Sequence, residues 1–97
     1  MYKILFRKKA IKDWDLLLKA GLAKKAVELK EILRVNPFQN PPPYEKLKGF
    51  NDTYSRRINV QHRLVYQVLP NDNNELDGTG TPYQGKNKII RMWTHYE

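Results

Sequence analysis

Two helix-period segments lie between the N-terminal residues 2–6 and Asn36-Pro37, and neither is apolar enough around its circumference to stand alone. In the first, Ala10, Ile11, Trp14, Leu17 and Leu18 share one face. In the second, Leu22, Ala26, Leu29, Ile32 and Leu33 recur at three and four. Gly21 lies between them, where a left-handed residue would end the first helix. Asn36-Pro37 stops the second, because the residue before a proline avoids the helical region. A helical hairpin with two narrow stripes must bury them against each other and against another layer. The rest of the chain has to supply that layer as sheet.

Residues 2–6 alternate Tyr2, Ile4 and Phe6 against Lys3 and Leu5, as a half-buried strand does. Three more strands are expected at about 54–60, 62–69 and 87–95. The order β-α-α-β-β-β implies a small α+β fold, with a helical hairpin packed on a mainly antiparallel sheet. A chain of 97 residues supports one modest core, so 1–97 reads as a single domain. Residues 37–53 form a loop that Pro37 and the run Pro41-Pro42-Pro43 should stiffen into an extended, semi-rigid arm. Residues 70–86 are polar and rich in turn formers, and an exposed, mobile hairpin loop is expected there.

Charge narrows the function. Lys and Arg number 18 against 10 acids, a net charge of +8, which attracts polyanions without specifying a sequence. A basic surface matched to one acidic protein would look the same. The absence of cysteine excludes disulfides, thiolate nucleophiles and cysteine-ligated zinc. No metal-ligand cluster is evident. No run reaches the length of a membrane span, and the N-terminal apolar stretch is too short for a secretory signal. A cytoplasmic protein is the simplest expectation.

Strand alternation sorts the remaining candidates. Ser55, Arg57 and Asn59 share one face, while Tyr54, Arg56 and Ile58 share the other. Leu64, Tyr66 and Val68 suit the helices, which leaves Arg63, Val65 and Gln67 opposite. On the last strand Ile90, Met92 and Tyr96 alternate with Ile89, Arg91, Trp93 and His95, and a bulge would change that parity. The helix-free face therefore gathers cations. Arg56, Arg57 and Arg63 could be solvated charges. Their mutual repulsion, with few acids between them, instead suggests an anionic ligand such as phosphate. His95 would by default be a surface histidine, although imidazole suits proton transfer. His62 at its turn favours a structural hydrogen bond, Glu45 beside Lys46 and Lys48 a solvated loop acid, and Tyr44, Tyr54 and Trp93 core or rim packing.

The run Ser55-Arg56-Arg57-Ile58 with His62-Arg63-Leu64-Val65-Tyr66, together with Pro37-Phe38, Leu47-Lys48 and the terminal His95-Tyr96, resembles the YoeB/Txe toxins of the RelE/ParE superfamily. The likeness covers almost the whole chain. It departs in the longer 70–87 loop and in Glu97, which follows a tyrosine that usually ends such chains. What the resemblance implies is ribosome-dependent cleavage of mRNA, on the 70S ribosome, neutralised by a cognate antitoxin of the YefM/Phd-like kind. It implies Glu45 as general base, Arg63 at the phosphate and His95 with Tyr96 as the catalytic C-terminal pair. Lys48 and Arg57 would line the cleft, and Arg56 would give electrostatic support. Neither a metal nor a cofactor is required. Members of the family can pair as a homodimer, which nothing in this sequence demands. Two other readings remain: a non-enzymatic ParE-like toxin that binds a topoisomerase, and a basic RNA- or ribosome-binding module.

Overall fold

The computed structural model describes residues 1–93. Strand β1 (Tyr2–Phe6) leads into helices α1 (Lys8–Lys19) and α2 (Ala23–Val35). Strands β2 (Tyr44–Lys46), β3 (Thr53–Arg57), β4 (Arg63–Leu69) and β5 (Gly85–Arg91) follow. They form one five-stranded sheet in the order β1-β5-β4-β3-β2, with β1 parallel to β5 and the other neighbours antiparallel. The expected α+β architecture is present, with one strand more than expected. Tyr44–Lys46 adds to the sheet edge inside what reads as a loop, because three residues flanked by proline give no period to detect.

The helical hairpin closes as glycine placement suggests. Gly21 has φ +75, the Leu22 amide donates to the Leu17 carbonyl at 2.9 Å, and the Gly21 amide donates to Leu18 at 3.2 Å. That pair of bonds satisfies the last carbonyls of α1. Asn36 is extended before Pro37 and ends α2. The core gathers Leu17, Leu29, Leu33, Leu64, Tyr66, Ile89 and Met92 between the helices and one sheet face. Asn87, fully buried on β5, donates from Nδ2 to the Leu33 carbonyl at 2.6 Å and so ties the sheet to the end of α2.

Two faces differ from expectation for physical reasons. Ile11 and Leu18 are 58% and 52% exposed, so α1 is rotated away from its most apolar stripe. It buries Ala10, Asp13 and Leu17 instead. Asp13 accepts from Arg91 Nε at 2.8 Å and from the Met92 amide at 2.9 Å, and a buried carboxylate with two such donors can face the core. On β5, Tyr66 pairs with Ile89 but Val65 pairs with Arg91, leaving Ile90 as an inserted residue. This bulge lets Ile89 and Met92, three apart, both reach the core.

The 70–84 loop is exposed, as expected, and is also internally bonded. Asn71 Nδ2 donates to the carbonyls of Glu75 and Tyr83, and its Oδ1 accepts from the Glu75 amide. Asp77 accepts from the Thr79 and Thr81 amides, and Leu76 bridges to Pro82. Glu75 pairs with Lys3 at 2.5 Å, and the hydrogen bond from that lysine holds its carboxyl below the usual range. Among the described residues, no helix is long and apolar enough to cross a membrane.

The Tyr66 hydroxyl donates to the Pro37 carbonyl at 2.7 Å in the core, and burial pushes this phenol up to about 12. A raised folded-state value means that the stability it contributes is complete below pH ~10, the ordinary tyrosine value, and is lost as pH rises towards ~12. Ultraviolet titration should show this phenolate forming last, and Tyr66→Phe should lose less stability than wild type across that alkaline window.

Candidate active site

The helix-free sheet face is built in register across three strands. Glu45 on β2 lies opposite Ser55 on β3, and Ser55 lies opposite Val65 on β4. Arg57 and Arg63 face each other two pairs further along, on the same face. Ser55 and Val65 are fully buried, a floor rather than a solvated surface. Arg63 crosses this floor. Its Nη1 donates to Ser55 Oγ at 2.9 Å, and its Nη2 stands 3.7 Å from Glu45 Oε1. The Arg63 side chain is 19% exposed and that of Glu45 is 68% exposed. One guanidinium is thus fixed by a buried hydroxyl beside a carboxylate open to solvent.

The other expected residues divide. Arg57 is exposed and directly opposite Arg63, so it belongs to this group. Lys48 stands exposed on the turn after β2, three residues beyond Glu45, about 10 Å along an extended chain and away from Arg57. His95 and Tyr96 lie outside the described residues, as does Glu97. Ser55 was not among the site residues that sequence reasoning singled out. Its place two residues before Arg57 on an alternating strand is the signal that could have identified it.

Arg56 requires a correction. It is fully buried on the opposite face, with Nη1 donating to the Pro42 carbonyl at 2.6 Å. Its Nη2 donates to the carbonyls of Pro37 at 2.9 Å and Gln39 at 2.8 Å. Its guanidinium carbon lies 5.0 Å from the Tyr44 ring centroid, and Phe38, Tyr44, Tyr54 and Tyr66 pack edge-on and tilted around it. A guanidinium so enclosed cannot meet RNA phosphate. Its donors fold the proline-rich segment, which turns through cis bonds at Asn40-Pro41 and Pro41-Pro42 instead of running as an extended arm.

His62 is structural, as expected, bonding at its turn through the backbone. Its carbonyl accepts from the Ile58 and Asn59 amides. Its buried ring stacks on Trp93 at 4.0 Å between centroids and 19° between planes. The last described residue is therefore clasped beside Arg63. Among the described residues, no group of three or more His, Asp or Glu side chains could hold a metal ion.

Chemically, this arrangement can bind an oxyanion at Arg63 and Arg57 while presenting Glu45 as a proton acceptor. Arg56→Ala would leave the Pro42 and Gln39 carbonyls without their donor, while Pro37 keeps that of Tyr66. At about 1–3 kcal/mol for each unsatisfied group, a loss of roughly 2 kcal/mol or more is expected. Urea denaturation measures it, and Arg56→Lys should recover only part, because an ammonium lacks the planar fork.

No family model matches the chain. A protein of Escherichia coli described as RelE-like toxin is 37% identical over 70 residues, which span 70% of this chain and 68% of that relative. Among solved structures, the YoeB/ParE toxin from Agrobacterium tumefaciens is similar with a TM-score of 0.74 and 25% identity, covering 97% of this chain and 99% of that one. The YoeB dimer from Staphylococcus aureus gives 0.71 at 29% identity, with 98% of each chain covered. The YoeB–YefM complex from the same organism gives 0.68 at 29%, with 99% of each covered.

Proposed function

The chain belongs to the RelE/YoeB family of toxins from toxin–antitoxin systems, and from that premise we propose that it is a metal-independent, ribosome-dependent mRNA endoribonuclease. The observation that supports this most directly is Arg63, held by Ser55 Oγ at 2.9 Å with the Glu45 carboxylate 3.7 Å away. In the reaction, the RNA 2′-hydroxyl attacks the adjacent phosphorus while Glu45 accepts its proton. The bond from phosphorus to the 5′ oxygen breaks, and His95 protonates the departing oxygen. A 2′,3′-cyclic phosphate and a 5′-hydroxyl result. Arg63 and Arg57 stabilise the charge on the non-bridging oxygens, Tyr96 positions the nucleotide, and Lys48, on the side of Glu45 away from Arg57, adds only longer-range positive potential.

An open face with few walls orients a flexible strand poorly, and the decoding site of the 70S ribosome supplies that alignment. The antitoxin is a YefM/Phd-like protein whose acidic, partly disordered segment lies over the cationic face. The complex of the Staphylococcus aureus relative with YefM supports that partner, and the dimer of the same relative supports a homodimer. The location is the cytoplasm. The ParE-like reading, in which the chain only binds a topoisomerase, is disfavoured by Glu45 standing as an exposed carboxylate against Arg63, since pure binding needs no base there.

Removing Arg63 leaves only Arg57 to stabilise the phosphate and also frees Glu45, whereas removing Glu45 leaves Arg63 held by Ser55. Arg63→Ala should therefore cost about 10²–10³-fold in single-turnover cleavage on programmed ribosomes, more than Glu45→Ala or His95→Ala. A near-normal rate for Arg63→Ala would contradict the mechanism. A transcript with a 2′-deoxy nucleotide before the cut should resist cleavage, and efficient cutting there would exclude attack by the 2′-hydroxyl.

A further inference from the structure

Strand order and direction bring four arginines to one end of the sheet. β1, β5 and β3 run the same way and β4 opposes them. Arg7 just past β1, Arg91 ending β5, Arg63 opening β4 and Arg57 ending β3 therefore lie at the same end, with Arg57 opposite Arg63 and Arg91 opposite Val65, two residues short of Arg63. Three inter-strand steps of about 4.8 Å with that offset of about 7 Å make this slanted row roughly 16 Å long. Only the Arg57–Arg63 half belongs to the site already described.

The other half opens onto a basic surface. Arg7, Lys8 and Lys9 are exposed, and with Ile90 and Arg91 they line a depression of about 290 Å³. Arg91 is held at its inner side, donating from Nε and Nη2 to Asp13 at 2.8 and 3.4 Å. Helix stability does not account for the rest. The first turn of α1 has no acid, and Arg7 at its N-cap makes no side-chain capping bond. Each cation there opposes the helix dipole at a cost of about 0.3–1 kcal/mol. Adjacent like charges raise the cost further, and a polyanion is the chemistry that reverses its sign.

We propose that Arg7, Lys8 and Lys9, continued by Arg91, form a second contact surface for the substrate RNA, gripping the phosphate backbone of the strand that leaves Arg63. The proposal rests on the RNA-cleaving reading of the Arg63 site. Continuity selects the substrate strand: an extended backbone held at Arg63 that follows the arginine row passes Arg91 and arrives at Arg7–Lys9. The contacts are to phosphates, so this surface adds affinity and direction without reading bases.

The test uses the full chain and its Arg7→Ala/Lys8→Ala/Lys9→Ala triple variant. The probes are 2′-O-methylated oligouridylates of about four and about twelve nucleotides, which cannot be cut and whose lengths fall within single-strand site sizes. The longer probe should bind the variant on the order of 10- to 100-fold more weakly near 0.1 M salt. The slope of log K against log salt should fall by about 2, for three charges at about 0.7 each. The shorter probe should change less than about twofold if it occupies only the Arg63 site, and a melting curve no lower than wild type shows that the variant is folded. Equal binding of the longer probe by both proteins overturns the proposal, as does an equal loss for both lengths. A loss seen only on ribosomes assigns the surface to ribosomal RNA and also overturns it. Patch-dependent binding by a wild-type protein that leaves programmed mRNA intact removes the nuclease reading and leaves this surface standing.

Discussion

A single buried guanidinium organises the part of the molecule on which the chemistry depends. Among the described residues Arg56 has no carboxylate partner; three backbone carbonyls and two tyrosine faces take up its charge. Burying an ion is costly unless it is hydrogen-bonded, and here the compensation comes from the segment that the ion must fold. Pro37, Gln39 and Pro42 converge because each carbonyl finds the same donor group. That convergence sets β2 against β3 and thereby places Glu45 opposite Ser55. Tyr66 adds a second donor at Pro37 from below.

Two adjacent arginines consequently have opposite fates. Alternation along β3 sends Arg56 into the aromatic cluster and Arg57 into solvent beside Arg63. One is structural and is only partly replaced by a side chain lacking a planar fork; the other is available to an anion. Arg63 lies between these extremes, mostly covered yet aimed across β3 towards an exposed acid. Its orientation owes more to the buried Ser55 hydroxyl than to Glu45, because an exposed ion pair is worth little in water.

Much of this was legible in the residues. Gly21 and Asn36-Pro37 bounded the helices, and period-two patterning put Leu64 and Tyr66 inwards with Arg63 outwards. Other features could not be read from pattern. Asp13 is buried because Arg91, 78 residues away, donates to it, and no local period announces a distant partner. The inserted Ile90 shifts parity by one, which alternation alone cannot locate. Arg56 read as a possible phosphate ligand because its three acceptors are backbone carbonyls, which leave no trace in side-chain identity. Lys48 shares a motif with Glu45, yet the hairpin turn carries it to the other end of β2.

The excursion between Leu69 and Gly85 leaves and re-enters the sheet at the end opposite the arginines. Its bonds are mostly its own, made by Asn71 and Asp77. The re-entry point is constrained: a Cβ at Gly85 would lie 2.8 Å from the Leu69 carbonyl oxygen and 3.0 Å from the Tyr2 ring. Inserted sequence between these two posts would lengthen a closed ring at small entropic expense, about 0.6 kcal/mol per doubling. The fold thus keeps its evolvable appendage and its reactive rim at opposite poles, so that one can be rewritten while the other stays in register.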